Sequence, residues 1–485
     1  MANAKLAKRL IFCFDGTWNQ LSADRPTNVV QLAQMVEPTA SDGTPQIVHY
    51  DEGIGTNMNR LRRSIDGALG GGMLRIIREA YRFLIFNYQP GDQIYAFGFS
   101  RGAYTARSFV GFIRHAGILD VVNANVIDRA IEIYRTAKAG EGIESEEGLK
   151  FRSQYCRGVC VSAADRDYRI ANLAGFDPAK APILTIRYLG VWDTVRALGV
   201  PDFIPGATWF NRKYGFHNAV LTSKIKAARH AVAIDELRPT FRASLFGREK
   251  VAELNARTRR AAGPPMPEWK LPYQEKWFPG VHGAVGGGGS LHGLSDGALL
   301  WVLQGARQAG LELRDEVNNP AFLLRPDPFE ALQNDPKVPF WKRGPIAALG
   351  QRLFHSPRPN GPTEIDEVAM PTLLRWHADP AHLPDARAYR PETLHKVRDK
   401  IDAWQAANKP SWKAAGLELE EYRVERGDTL SKLAKARLGD AKRWPELFEF
   451  NRDRMDDPDS LSIGALLRLP PVAKAGQQID VIPEG

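Results

Sequence analysis

The chain has 485 residues, of which 44% are hydrophobic and 25% charged, with a formal net charge of +9. That length exceeds one ordinary core and calls for two or three folding units of globular composition, and no run of about eighteen uncharged apolar residues exists to span a membrane. The positive charge is scattered, with local clusters at Arg60, Arg62 and Arg63 and at Arg257, Arg259 and Arg260; with no nucleic-acid-binding motif beside them, nucleic acid is not an expected partner.

In chain order, "MANAKLAKRLIFCFDGTWN" has a basic start, a short apolar run and no small-residue cleavage site. It reads as the first strand of the fold and not as a signal peptide. The expected location is therefore the cytoplasm of the producing cell, with any export bypassing the general secretory signal. Cys13, Cys156 and Cys160 lack the further His or Cys that a metal site needs, so reduced thiols and no metal are expected. "QIVHYDEG" is a second strand ending at an acidic residue and glycine, and "GGGMLRIIREAYRFLIFNY" has helical spacing, with Leu74, Ile77, Tyr81 and Leu84 on one face. "QIYAFGF" is a buried strand, followed by a helix whose apolar face carries Ala103, Ala106, Phe109, Val110 and Ile113, with Gly117 as its stop.

From about 121 to 180 the pattern turns polar and helical, as an insertion over the sheet. "PILTIRYLGVWDTV" returns to strand, "KIKAARHAVAIDE" to helix, "QEKWFPGVHGAVGGGG" to strand and loop, and "DGALLWVLQGARQAG" to helix, with Asp296 as an N-cap. Alternating strands and helices predict an α/β fold, a mostly parallel sheet covered on both faces. This first domain runs over 1–310. A Pro-rich wrapping segment and connector is expected at 311–420, a compact strand–helix–helix–strand unit at 421–470, and a tail at 471–485.

In such a sheet, reactive groups collect at the carboxyl ends of strands. Ser100 follows "QIYAFGF", Asp193 follows "ILTIRYLGVW" and His282 follows "EKWFPGV". Ser, Asp, His is the chain order of α/β-hydrolases. A serine hydroxyl needs an imidazole to take its proton, and that imidazole needs a carboxylate to fix its tautomer. Gly98 and Gly102 let the turn close and put Ser100 at a helix N-terminus. The backbone N–H of Arg101 is one expected oxyanion-hole donor, and Gly16 or Thr17 in "DGTWN" the other, on a turn braced by Asp15. Other roles compete: Asp193 as a helix cap, Asp235 as the acid, and His292 or His230 as the base. The glycines 286–289 fit a close backbone approach better than a phosphate loop. A serine triad requires no cofactor.

The set "FDGTWN", "GFSRGAYTAR", "GVWDTV", "HAVAIDELRPTF" and "WFPGVHGAVGGG" resembles a bacterial α/β-hydrolase-like family that includes type VI secretion phospholipase effectors. The resemblance covers roughly residues 8 to 310 and implies Ser100 as nucleophile, Asp193 as acid and His282 as base. It further implies a phospholipid or other acyl-ester substrate, phospholipase A-type cleavage, secretion-apparatus or immunity proteins as partners, and delivery to the periplasm of another cell. Where many relatives read His-Ser-Asp, this chain reads His282-Gly283-Ala284, losing a polar pair beside the base. "YRVERGDTLSKLAKARLGD", with Trp444, Asn451 and "LSIGALLRLP", resembles a LysM domain. That implies a peptidoglycan-binding groove at Gly427, Asp428, Thr429 and Leu430, with Asn451 and Ile463 opposite. The readings left open beside a lipid hydrolase are an idle hydrolase scaffold used for glycan binding or docking, and a soluble esterase or thioesterase.

Overall fold

The computed structural model describes residues 7–16, 26–53, 71–136, 143–195, 221–238, 241–262, 270–314, 322–333, 358, 360–408, 420–451, 454–455, 457–459, 461 and 463–469. Six strands form one sheet: β1 (Arg9–Phe14), β2 (Gln46–Asp51), β3 (Gln93–Phe99), β4 (Ile186–Trp192), β5 (Ala228–Ala233) and β6 (Tyr273–Phe278), in the order β2-β1-β3-β4-β5-β6. The pairs β1–β2, β1–β3 and β3–β4 are parallel, with Leu10 facing Ile47 on one side and Ile94 on the other. Every residue of β1 and β5 is buried, as expected for strands covered on both faces. The chain leaves β1 for β2 and then crosses back to β3 on β1's other side. That reversal opens a crevice at the carboxyl ends of β1 and β3, where α/β sheets bind ligands.

Helices follow from the same patterning. The first is α1 (Asn28–Met35), whose Thr27 side chain caps Val30 N–H. Then come α2 (Gly71–Asn87) and α3 (Arg101–Ala116). Phe109 of α3 packs on Phe12 and Phe14 of β1, with ring centroids 4.7 and 5.5 Å apart. The polar stretch after α3 forms α4 (Ile127–Thr136), α5 (Glu146–Tyr155) and α6 (Ala163–Asn172). Its interior holds a buried ionic cluster: Asp165 lies 2.9 Å from Arg169 and 3.3 Å from Arg152. Breaking one member would leave a charge uncompensated.

Further along lie α7 (Arg248–Ala262), α8 (His282–Gly286), α9 (Gly293–Gln308), α10 (Met370–Trp376) and α11 (Arg398–Asn408). Last comes β7 (Glu420–Arg423), α12 (Leu430–Leu438), α13 (Trp444–Phe450) and β8 (Leu466–Leu469), with β7 and β8 antiparallel around a core of Leu430, Leu433, Leu447, Phe448, Leu467 and Leu469. The chain divides into two compact units: 1–230 with 242–258 and 305–312, and 231–241 with 259–304 and 313–485.

Three local expectations change. The stretch expected as a helix, "KIKAARHAVAIDE", supplies strand β5; a short run buried on both faces has no period to separate strand from helix. His282 opens a short helix instead of lying in a loop. Asp296 is the fourth residue of α9, not its cap; its carboxylate accepts from Arg325 N–H at 2.8 Å. The three cysteines are free and buried, and burial pushes the Cys13 and Cys156 thiols far up.

Candidate active site

Ser100 sits between β3 and α3 with φ 60° and ψ −124°. Only three non-glycine residues among the described residues have positive φ: Ser100, Asp193 (36°) and Ala386. An L-residue there is strained, and such strain concentrates at functional sites. The two candidate residues are also tied together. Ser100 N–H donates to the Trp192 carbonyl at 3.0 Å, and Val195 N–H donates to the Ser100 carbonyl at 3.3 Å. The ends of β3 and β4 thus hold each other in their unusual turns. Both residues are buried, Asp193 completely and Ser100 at 6% exposure.

The close packing explains the glycines. A Cβ on Gly98 would stand 2.5 Å from the Gly102 carbonyl oxygen, and one on Gly102 would stand 2.2 Å from that of Phe14. The start of α3 is therefore pressed against the end of β1, and only glycine permits it. At that end Asp15 is 1% exposed. Its carboxylate accepts from Gly16 N–H at 2.6 Å, Thr27 Oγ1 at 2.7 Å and the Tyr50 hydroxyl at 2.9 Å. Burial and the Asp15 carboxylate push Tyr50 up, keeping its proton in place to donate. Asp15 braces the turn, and the Gly16 N–H is spent on it; Thr17, the other expected donor, lies outside the described residues. A small cleft beside this turn is lined by Phe14, Asp15, Asp51, Gly53, Arg101 and Thr105.

His230 and Asp193 are neighbours through Thr194. His230 Nε2 accepts the Thr194 N–H at 3.1 Å, and the Thr194 carbonyl accepts from Ser244 N–H at 2.7 Å. His230 therefore holds the turn that follows Asp193. No helix starts at Thr194 or Val195 for Asp193 to cap.

His282 belongs to the second unit. It is 6% exposed at the N-terminus of α8, and its backbone N–H donates to Glu236 Oε2 at 3.3 Å. The Phe241 ring meets its imidazole edge-on, with centroids 4.8 Å apart at 70°. Glu236 is in turn gripped by Arg238, whose Nε and Nη2 approach at 2.8 and 2.7 Å while its guanidinium covers Phe241 at 3.7 Å. Burial pushes the Glu236 carboxyl up, but the bonds and charge of Arg238 outweigh it and hold the group below its ordinary range. Asp235, weighed above as an alternative acid, accepts from Gly280 N–H at 2.7 Å and from the Tyr389 hydroxyl at 2.8 Å. It fixes the turn two residues before His282. Glu236, Arg238, Phe241 and Tyr389 were not singled out from the sequence; the first three lie within the motif "HAVAIDELRPTF", which was the available signal.

In the C-terminal module, Gly427 and Thr429 are exposed and Ile463 is 38% exposed. Thr429 caps α12 through Lys432 N–H at 3.2 Å, and Asp428 accepts from the Tyr422 hydroxyl at 2.8 Å. Leu430 is buried in the core. Asn451 is fully buried; its amide donates to the Leu447 and Arg468 carbonyls and accepts from Arg468 N–H. It joins α13 to β8, with both amide hydrogens engaged and the side chain out of reach of solvent.

A family model described as "T6SS, Phospholipase effector Tle1-like, catalytic domain" matches residues 8–305. The uncharacterized protein YEL023C of Saccharomyces cerevisiae is 26% identical over 258 residues, 50% of this chain and 33% of that protein. The chain thus spans about a third of that relative's length. Two solved structures are similar at low overlap. One, titled as the Tle1 effector bound to the VgrG spike of the type 6 secretion system, is 18% identical with TM-score 0.31, covering 58% of this chain and 51% of that one. The other, an uncharacterized protein from Pseudomonas aeruginosa, is 17% identical with TM-score 0.37, covering 83% and 60%.

Proposed function

The chain belongs to the Tle1-like family of type VI secretion phospholipase effectors, whose catalytic domain it matches over residues 8–305, and on that premise we propose that it hydrolyses a carboxylic ester of a phospholipid in the manner of a phospholipase A. Ser100 attacks the acyl carbon while His282 takes its proton, and Asp193 orients His282. His282 then protonates the leaving alcohol, and water releases the acyl group by the same route in reverse. The Arg101 N–H, first in α3, stabilises the oxyanion, while the Gly16 N–H is engaged by Asp15. The observation that carries the reading is the backbone of Ser100, a non-glycine residue held at φ 60° between a buried strand and a helix. Strain of that kind persists only where the surroundings enforce it, and a strained serine between a strand and a helix is the arrangement a nucleophile elbow requires, which supports this reading.

The test is release of labelled fatty acid from phosphatidylethanolamine–phosphatidylglycerol vesicles by wild type and Ser100→Ala. Loss of a triad nucleophile costs about 10⁴-fold or more in rate, which is the expected outcome. Equal, negligible release from both proteins would make the scaffold catalytically idle. Cleavage of short-chain esters with none of bilayers would make it a soluble esterase. Position-labelled lipid in the same assay reads which acyl bond is cut.

We further propose that the βααβ module over 420–469 is a LysM domain that contacts peptidoglycan through Gly427, Asp428, Thr429 and Ile463. As an effector, the protein would be handed to the secretion apparatus in the producing cell, act in the periplasm of a recipient, and be countered by an immunity protein.

A further inference from the structure

The residues around His282 are held from a distant part of the chain. Arg358, 6% exposed, donates to the Ala233 carbonyl at 2.9 Å and to the Phe241 carbonyl at 2.8 Å. It therefore clamps both ends of the stretch that carries Asp235, Glu236 and Arg238. Between those ends, the buried Thr393 hydroxyl donates to the Ile234 carbonyl at 3.0 Å, and the Tyr389 hydroxyl to Asp235 Oδ2 at 2.8 Å. Asp235 passes the constraint on to Gly280 N–H at 2.7 Å, and Asp235 N–H donates back to the Gly280 carbonyl at 3.1 Å. The turn that presents His282 is thus fixed to β5's extension, and that extension to residues 358–393. The same segment grips β6 itself: Ala369 N–H and Thr372 Oγ1 both donate to the Trp277 carbonyl, at 3.0 and 2.9 Å.

We propose that residues 358–393, which follow the family's catalytic domain in the chain, are a positioning element for His282, acting through Tyr389, Thr393 and Arg358. The inference rests on the catalytic reading of His282 but concerns how that side chain is held. The six bonds form a continuous path from the segment to the turn; Arg358, Tyr389, Thr393, Ala233 and Ile234 are buried, and Asp235 and Phe241 are partly buried. A buried hydroxyl at the end of such a path is costly to lose, because its partner carboxylate keeps its need for a donor. Burial already pushes Asp235 up, with the Gly280 N–H and the Tyr389 hydroxyl opposing it. Removing the hydroxyl lets the carboxyl take a proton at higher pH and slackens its grip on Gly280.

Tyr389→Phe removes one oxygen and keeps the ring packing. In the full-length protein it is expected to lower kcat on phosphatidylethanolamine–phosphatidylglycerol vesicles about 10-fold, leave KM unchanged, and move the acid limb of the pH–rate profile toward neutrality. The histidine ring signals of ¹⁵N-labelled protein, with His282 assigned by His282→Gln, should show an altered His282 titration. Thr393→Val should act in the same direction and more weakly. Retention of wild-type kcat, pH profile and His282 titration in both variants, each folded by circular dichroism, would overturn the proposal. If Ser100→Ala shows that the protein is no lipid hydrolase, the His282 titration alone decides: a change upon Tyr389→Phe supports the brace, and no change refutes it.

Discussion

Ser100 at φ 60° and Asp193 at φ 36° each carry a side chain where glycine would rest without strain. Such a residue costs on the order of 1–3 kcal/mol, so the site works against the stability of the fold that holds it. Ser100→Gly should therefore be more stable than wild type by about 1 kcal/mol in urea denaturation while losing the hydrolytic activity. Ser100→Ala, which keeps a Cβ, should be equally inactive with no such gain. A Ser100→Gly protein no more stable than Ser100→Ala would mean that the turn carries no strain. The serine turn was legible in the sequence because glycine on either side marks close backbone approach. The left-handed backbone of Asp193 was not, because aspartate occupies caps, turns and strand ends alike.

At the scale of elements, β3 and α3 declared themselves through a buried run followed by helical spacing, whereas β5 did not. Its "ARHAVA" is buried on both faces, and a two-sided strand has neither a polar face nor a period of two. The same blindness covers α9, where Asp296 looked like a cap but lies inside the first turn. Burial pushes its carboxyl up to about 6, with the Arg325 N–H and His292 opposing and Glu330 adding to the rise. Because the folded form binds the proton more tightly than the unfolded chain, this group favours folding at low pH. That contribution is lost as pH rises from about 4 through about 6. Asp296→Asn keeps an acceptor for Arg325 N–H without the buried charge. It should be more stable than wild type by about 3 kcal/mol at pH 7.5, with the two proteins converging near pH 4. Urea denaturation at the two pH values reads the difference, and equal stability at pH 7.5 would exclude a buried charge penalty.

At the scale of the molecule, the candidate nucleophile and acid lie in one compact unit and the candidate base in the other, together with the whole chain after residue 313. The βααβ module could be read locally, since all four of its elements fall between 420 and 469 and pack on one another. The brace on His282 could not, because Tyr389 meets Asp235 across 154 residues, and a single sequence does not reveal such a pairing. If the module is a LysM domain, the full-length protein should sediment with purified peptidoglycan sacculi, and Ile463→Asp should reduce the bound fraction about 10-fold. Wild type left in the supernatant would make the module a docking unit instead. The cysteines carry a practical consequence. All three are free, fully buried, and have thiols pushed up by burial, so little thiolate is available to an alkylating reagent. The native fold is thereby a silent background for maleimide chemistry. One cysteine placed on an exposed position would carry a single fluorophore, by which the proposed delivery into a second cell could be tested directly.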